Sequence, residues 1–164
     1  MKTLYLVRHA KSNWGSGATN DFDRPLSNRG NRDAAFMSTL LFEKGIKVEK
    51  IISSPAIRAL TTAKVFAKKF RMNEKEIQLE ENIYEASREM LLDTIYQLDD
   101  GVSFVMLFGH NPGLTSLVNY FGAEIDNLPT CGIAAFTFEV NLWKEVEKGK
   151  LLFYEYPKKK LKEE

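Results

Sequence analysis

Thr3-Leu4-Tyr5-Leu6-Val7-Arg8-His9 is the most telling stretch of the chain. Its first five residues are apolar or β-forming, too few for a helix and without polar alternation. That is the pattern of a strand buried on both faces. The run stops at Arg8 and His9, two side chains that a core rejects. The same design recurs in Ile52-Ser53-Ser54-Pro55, with Arg58 close behind, and in Leu107-Phe108-Gly109-His110-Asn111-Pro112. Strands buried on both faces need helices to cover them. Apolar residues at helical spacing lie between the runs. They are Ala34, Met37 and Leu41; Leu60, Ala63, Phe66 and Phe70; Leu91, Leu92, Ile95 and Leu98; and Leu114, Leu117, Val118 and Phe121.

Local signals bound these elements. Ser27 is placed to cap the first helix, Gly30 is an early cost to it, and Gly45 sits where its end is expected. Ser54-Pro55 and Asn111-Pro112 each read as an N-cap followed by proline in the first turn. Glu76 to Glu80 reads as a short strand. Gly132 to Val140 and Lys150 to Tyr156 read as a hairpin-like pair near the sheet's end. The sum is about six strands and four helices in alternation, an α/β sandwich with helices on both faces. With no internal repeat or linker, residues 1–156 read as one domain and 157–164 as a charged, solvated tail.

Composition narrows the function. The 164 residues suffice for one core, which buries roughly two-thirds of the unfolded surface. Lys and Arg number 23 and Asp and Glu 22, a net charge of +1, which argues against a nucleic-acid binder. No run approaches the ~18 apolar residues of a membrane span, and no export signal is visible. With a single cysteine, Cys131, a cytoplasmic location is expected and a Cys-cluster zinc site is excluded.

In open α/β sheets ligands bind beyond the carboxyl ends of the strands. If the three polar-ended strands are parallel neighbours, Arg8, His9, Arg58 and His110 meet in one pocket. Two guanidiniums and nearby helix N-termini favour a tetrahedral oxyanion. A neutral imidazole can accept a phosphoryl group on one nitrogen, and adjacent arginines disfavour its protonation. His9, directly after a strand, is therefore assigned as nucleophile. His110 is assigned as a donor to the phosphoryl oxygens, with Gly109 admitting the ligand close to the backbone.

Other chemistries fit less well. No P-loop occurs. Gly15 to Asn20 opens like a dinucleotide fingerprint but lacks its last glycine and helix, so a loop is expected. Cys131 has no phosphate-cradling arginine and reads as a packing residue. Asp21-Phe22-Asp23 lacks the strand that an aspartyl phosphatase would place before it. Two arginines would repel a metal from a two-histidine site.

Leu6-Val7-Arg8-His9-Ala10-Lys11-Ser12, Ser53-Ser54-Pro55-Ala56-Ile57-Arg58-Ala59 and Gly109-His110-Asn111-Pro112 resemble the histidine phosphatase superfamily, which includes the cofactor-dependent phosphoglycerate mutases. The short length and Asp23-Arg24-Pro25-Leu26-Ser27 look most like its SixA-type phosphohistidine phosphatases. The resemblance runs from Leu4 to about Phe138. It implies a three-layer α/β/α fold on a mixed, mostly parallel sheet. It also implies a phosphorylated His9 intermediate, a phosphate pocket of Arg8, Arg58 and His110, and neither metal nor organic cofactor. Ala10 departs from the usual glycine, and slightly altered backbone geometry is expected there. A general acid for alcohol leaving groups is sought in Leu79 to Glu85, with Glu81 first by position and Glu85 second. The expected substrate is a phosphorylated protein, with phosphohistidine ahead of other groups. The alternatives are a small sugar or nucleotide phosphate, or a non-catalytic phosphate-binding module. No nucleic-acid or membrane partner is expected.

Overall fold

A computed structural model describes residues 1–14 and 17–159. Gly15 and Ser16 of the expected loop, and the tail beyond Lys159, lie outside the described residues. The elements alternate as β1 (Lys2–Arg8), α1 (Asn28–Glu43), β2 (Lys50–Ser53), α2 (Ile57–Lys69), β3 (Gln78–Leu79), α3 (Arg88–Tyr96), β4 (Phe104–Gly109), α4 (Gly113–Tyr120), β5 (Ile133–Phe138) and β6 (Lys150–Glu155). Short 3₁₀ turns at Asp21–Asp23, Glu74–Glu76, Glu81–Ile83 and Trp143–Glu145 join them.

The sheet runs β3-β2-β4-β1-β5-β6. Its first four strands are parallel; β5 pairs antiparallel with β1, and β6 pairs antiparallel with β5. The mixed sheet follows from the connections. The strands from β1 to β4 are joined through α1, α2 and α3 and run parallel, β5 reverses after α4, and β5 and β6 are joined through the Trp143–Glu145 turn without a long crossover.

Alternation along the central strands divides the core. Leu4, Leu6, Val105 and Leu107 face α3 and α4, where they meet Ile95, Leu117 and Phe121. Tyr5, Val7, Met106 and Phe108 face α1 and α2, where they meet Met37, Leu41, Ala63 and Phe66. Three layers result because these strands are apolar on both faces. Among the described residues, no helix is long and apolar enough to cross a membrane.

Two expected helix starts move. The Ser27 hydroxyl does accept from the Gly30 N–H at 3.0 Å. Ser54, however, is not the cap of α2, which begins at Ile57 after Ala56. Its hydroxyl accepts from the Ala56 N–H at 3.2 Å and closes a turn before the helix. Helix α4 likewise begins at Gly113 after Pro112, and Asn111 Oδ1 accepts from the Thr115 N–H at 3.1 Å. Pro157 is buried and Lys158 exposed, so the described start of the tail is seated on the domain.

Candidate active site

Register brings the polar strand ends level. Arg8 pairs with Gly109 across β1 and β4, and Ser53 with Phe108 across β2 and β4. The His9 N–H donates to the Gly109 carbonyl at 3.1 Å, and the Ser54 N–H to the Phe108 carbonyl at 3.0 Å. The His9 and His110 rings lie 5.2 Å apart. Arg8, His9, Arg58 and His110 thus share one cavity of about 420 Å³.

The pocket's frame is backbone held by backbone. The Cys131 N–H donates to both the Arg8 and His9 carbonyls, at 3.1 and 3.0 Å. Cys131 takes a left-handed φ of 58° to do so, and its thiol is wholly buried. Burial pushes that thiol up and keeps it inert. Ala10 is fully buried and is not among the residues with positive φ, so this position does not need glycine. Its N–H donates to Thr62 Oγ1 at 3.0 Å, and that hydroxyl donates to the Arg58 carbonyl at 2.7 Å. Gly109 also serves the packing. An added Cβ there would lie 3.1 Å from Ile83 Cγ2, so the space serves the packing of Ile83.

The His9 tautomer follows from one contact. Nδ1 lies 2.8 Å from the Ala10 carbonyl, which can only accept, so Nδ1 carries the proton. The Nε2 lone pair is then free to act as a nucleophile. Burial first, then His110, Arg58 and Arg8, lower the His9 pKa to about 3, against the Ala10 hydrogen bond. Burial and Arg58 bring His110 down to about 4. Both rings are neutral near pH 7.

Three nitrogens of these residues have no partner. Arg8 Nε, Arg58 Nε and His110 Nδ1 are buried without a hydrogen-bond partner in the protein. Buried orphans of this kind are rare, because each costs about 1–3 kcal/mol. His110 Nε2 is occupied by Ser54 Oγ at 2.7 Å, which fixes the ring.

Asp21 is the main residue that sequence reasoning missed. Arg58 donates from NH1 to its carbonyl at 2.7 Å and from NH2 to its Oδ2 at 2.9 Å. The Tyr84 hydroxyl donates to the same Oδ2 at 2.7 Å, and Arg24 holds Oδ1 at 3.0 Å. Desolvation would raise the Asp21 carboxyl, but the Tyr84 and Arg58 hydrogen bonds outweigh it and hold it below the usual range. In the sequence Asp21 stands only in an Asp-Phe-Asp run without the strand an aspartyl phosphatase would need. Its spacing to Arg24 is visible locally, but nothing local links it to Arg58 or Tyr84.

The two candidate acids separate. Glu85 lines the cavity, whereas Glu81 sits exposed on its 3₁₀ turn and is not among the lining residues. Of the two, Glu85 alone is placed where a bound phosphoryl group would lie near it. Glu85 itself takes a left-handed conformation, φ 57°, which a residue count does not reveal.

The model of the histidine phosphatase superfamily (branch 1) matches residues 4–95, a span holding Arg8, His9 and Arg58. The chain belongs to the histidine phosphatase superfamily. That match and the shared fold support hydrolase activity of this general class. A chloroplastic protein of Arabidopsis thaliana is 31% identical over 153 residues, covering 88% of this chain and 70% of its own. The structure of the putative phosphohistidine phosphatase SixA from Agrobacterium tumefaciens is similar at a TM-score of 0.81 and 26% identity. That similarity covers 95% of this chain and 98% of the other. The protein histidine phosphatase SixA in complex with tungstate shares the fold at a TM-score of 0.82 and 19% identity, over 96% of this chain and 98% of its own. SixA-type phosphohistidine phosphatases are thus structurally similar members of the superfamily.

Proposed function

We propose that this chain is a phosphatase that works through a phosphorylated His9 and acts on protein phosphohistidine. The observation that carries the mechanism is the His9–Ala10 contact, which leaves an unprotonated Nε2 in a cavity lined by Arg8, Arg58 and His110. The phosphoryl group docks against Arg8, Arg58 and His110. His9 Nε2 attacks phosphorus in line, forming one P–N bond as the bond to the leaving group breaks. The donors stabilise charge on the equatorial oxygens. Water then attacks phospho-His9, which breaks the P–N bond and releases inorganic phosphate and neutral His9.

The substrate reading rests on the character of the walls. Every residue lining the cavity is polar or charged, Tyr84 included. Small-molecule sites are typically lined by apolar side chains that enclose the ligand. This cavity suits the phosphoryl group and leaves the carrier outside, as a phosphorylated protein requires. The similarity to the putative SixA from Agrobacterium tumefaciens points the same way. A phosphoramidate is already activated, and its imidazole leaves as a neutral ring once protonated.

One observation favours a second reading, a phosphomonoester of a sugar or nucleotide. Glu85 on the cavity rim could protonate an alkoxide. The two separate in one experiment. His9→Ala is expected to abolish both turnover of 4-nitrophenyl phosphate and the acid-labile phosphoenzyme. An active variant would overturn the mechanism. Phosphate binding without any phosphoenzyme in the intact protein would identify a non-catalytic module. Glu85→Gln is expected to leave phosphohistidine hydrolysis within about twofold. A loss of 10²-fold or more on a sugar or nucleotide phosphate, the usual scale of a missing general acid, would favour the ester.

A further inference from the structure

A second cavity of about 370 Å³ adjoins the first, and the two share Arg8, Lys11 and Thr130 as a common wall. Arg29, Tyr156 and Lys158 bound its far side. The charged side chains lining it are all cationic: Arg8, Lys11, Arg29 and Lys158. The first cavity, by contrast, includes Asp21 and Glu85. On a chain of net charge +1, this local excess is an arrangement and not a composition.

The cations are poorly compensated. Among the described residues, no carboxylate forms an ion pair with Lys11 or Lys158. Arg29 has one pair, to Asp33 at 3.5 Å, and its side chain is 48% exposed, so little of its charge is neutralised. The scaffold beneath them is built to tight tolerance. The Lys11 carbonyl accepts from the Ser27 N–H at 2.8 Å and the Ser27 hydroxyl at 3.1 Å. Gly30 lies so close that an added Cβ would fall 2.0 Å from that carbonyl. These contacts tie Lys11 to the first turn of α1, where Arg29 sits. Buried Pro157 seats the chain that carries Lys158.

We infer that this second cavity is a subsite for acidic side chains flanking the phosphorylated residue of a protein substrate. The inference rests on the protein-phosphohistidine reading. With the phosphoryl group at His9, neighbouring carboxylates reach the cationic cavity across the Arg8–Lys11 wall. Long, exposed cations at such a site steer and hold an acidic segment, so their effect falls on KM and on salt dependence. They do not touch the reacting atoms.

The test uses the full chain and two phosphohistidine peptides of equal length, one flanked by Asp and Glu, the other by Ser and Gln. Wild type is expected to favour the acidic peptide by about fivefold in kcat/KM, the scale of two screened ion pairs. The preference is carried by KM and fades as salt rises. In the double variant R29Q/K158Q it disappears, while turnover of 4-nitrophenyl phosphate stays within about twofold of wild type. Equal rates for the two peptides in wild type, or a preference unchanged in the variant, overturn the subsite. If neither peptide is cleaved while 4-nitrophenyl phosphate is, the substrate reading fails separately. The same two sequences carrying phosphoserine are then compared as competitive inhibitors of the chromogenic reaction. Tighter inhibition by the acidic peptide in wild type alone supports the subsite, and equal inhibition overturns it.

Discussion

Thr62 joins two segments of the site through one hydroxyl. It accepts from the Ala10 N–H beside His9 and donates to the carbonyl of Arg58. Valine has nearly the same shape but offers neither bond. Thr62→Val is therefore expected to leave a buried N–H unmatched and to cost about 1–3 kcal/mol of stability. A urea titration reads this directly, and an unchanged midpoint would contradict it. At this scale the sequence was partly legible. Arg8, His9, Arg58 and His110 stand out because charged or titratable side chains end apolar runs, and all four line the cavity. Thr62, Asp21 and Tyr84 do not stand out. The partners that place them in the site lie 37 to 63 residues away. A hydroxyl or carboxylate gives no local sign of a remote partner.

Helix α1 shows how an element can obey tertiary contacts against its own propensity. Glycine inside a helix costs about 1 kcal/mol relative to alanine, which is why Gly30 reads as a cost. In the fold the missing side chain admits the Lys11 carbonyl, which an added Cβ would meet at 2.0 Å. Gly30→Ala is thus expected to lose about 2 kcal/mol or more, since forcing the backbone apart outweighs the propensity gained. Thermal or urea unfolding checks the sign, and a stabilised variant would refute the clash. The start of α2 carries the same lesson. Ser54-Pro55 has the local form of a cap, yet Ser54 Oγ bonds the Ala56 N–H and His110 Nε2 ahead of the helix. The hydroxyl holds a histidine 56 residues away.

The whole molecule takes up protons when it unfolds. Burial holds His9 near a pKa of about 3 and His110 near about 4. An unfolded histidine titrates near about 6.5. Between those values the unfolded chain binds more protons than the folded one. The stability due to the neutral rings is therefore complete above pH ~6.5 and is lost as pH falls toward 4 and then 3. The melting temperature is expected to fall on acidification through this window, and to fall less steeply in His110→Gln. Equal slopes in the two proteins would show that His110 is not held neutral by the fold. Sequence by itself determined the strand–helix alternation, the two-sided burial of the central strands and the charged residues at their ends. Those features rest on side-chain polarity and on spacing within a few residues. Only the tertiary structure decided the remainder. It set the strand order and the level strand ends. It placed Glu85 and not Glu81 at the cavity, and Arg58 against Asp21. It also set the cationic cavity across Arg8 and Lys11. Each of these depends on which distant segments meet, and burial gives their charges and hydrogen bonds an energy that no local pattern records.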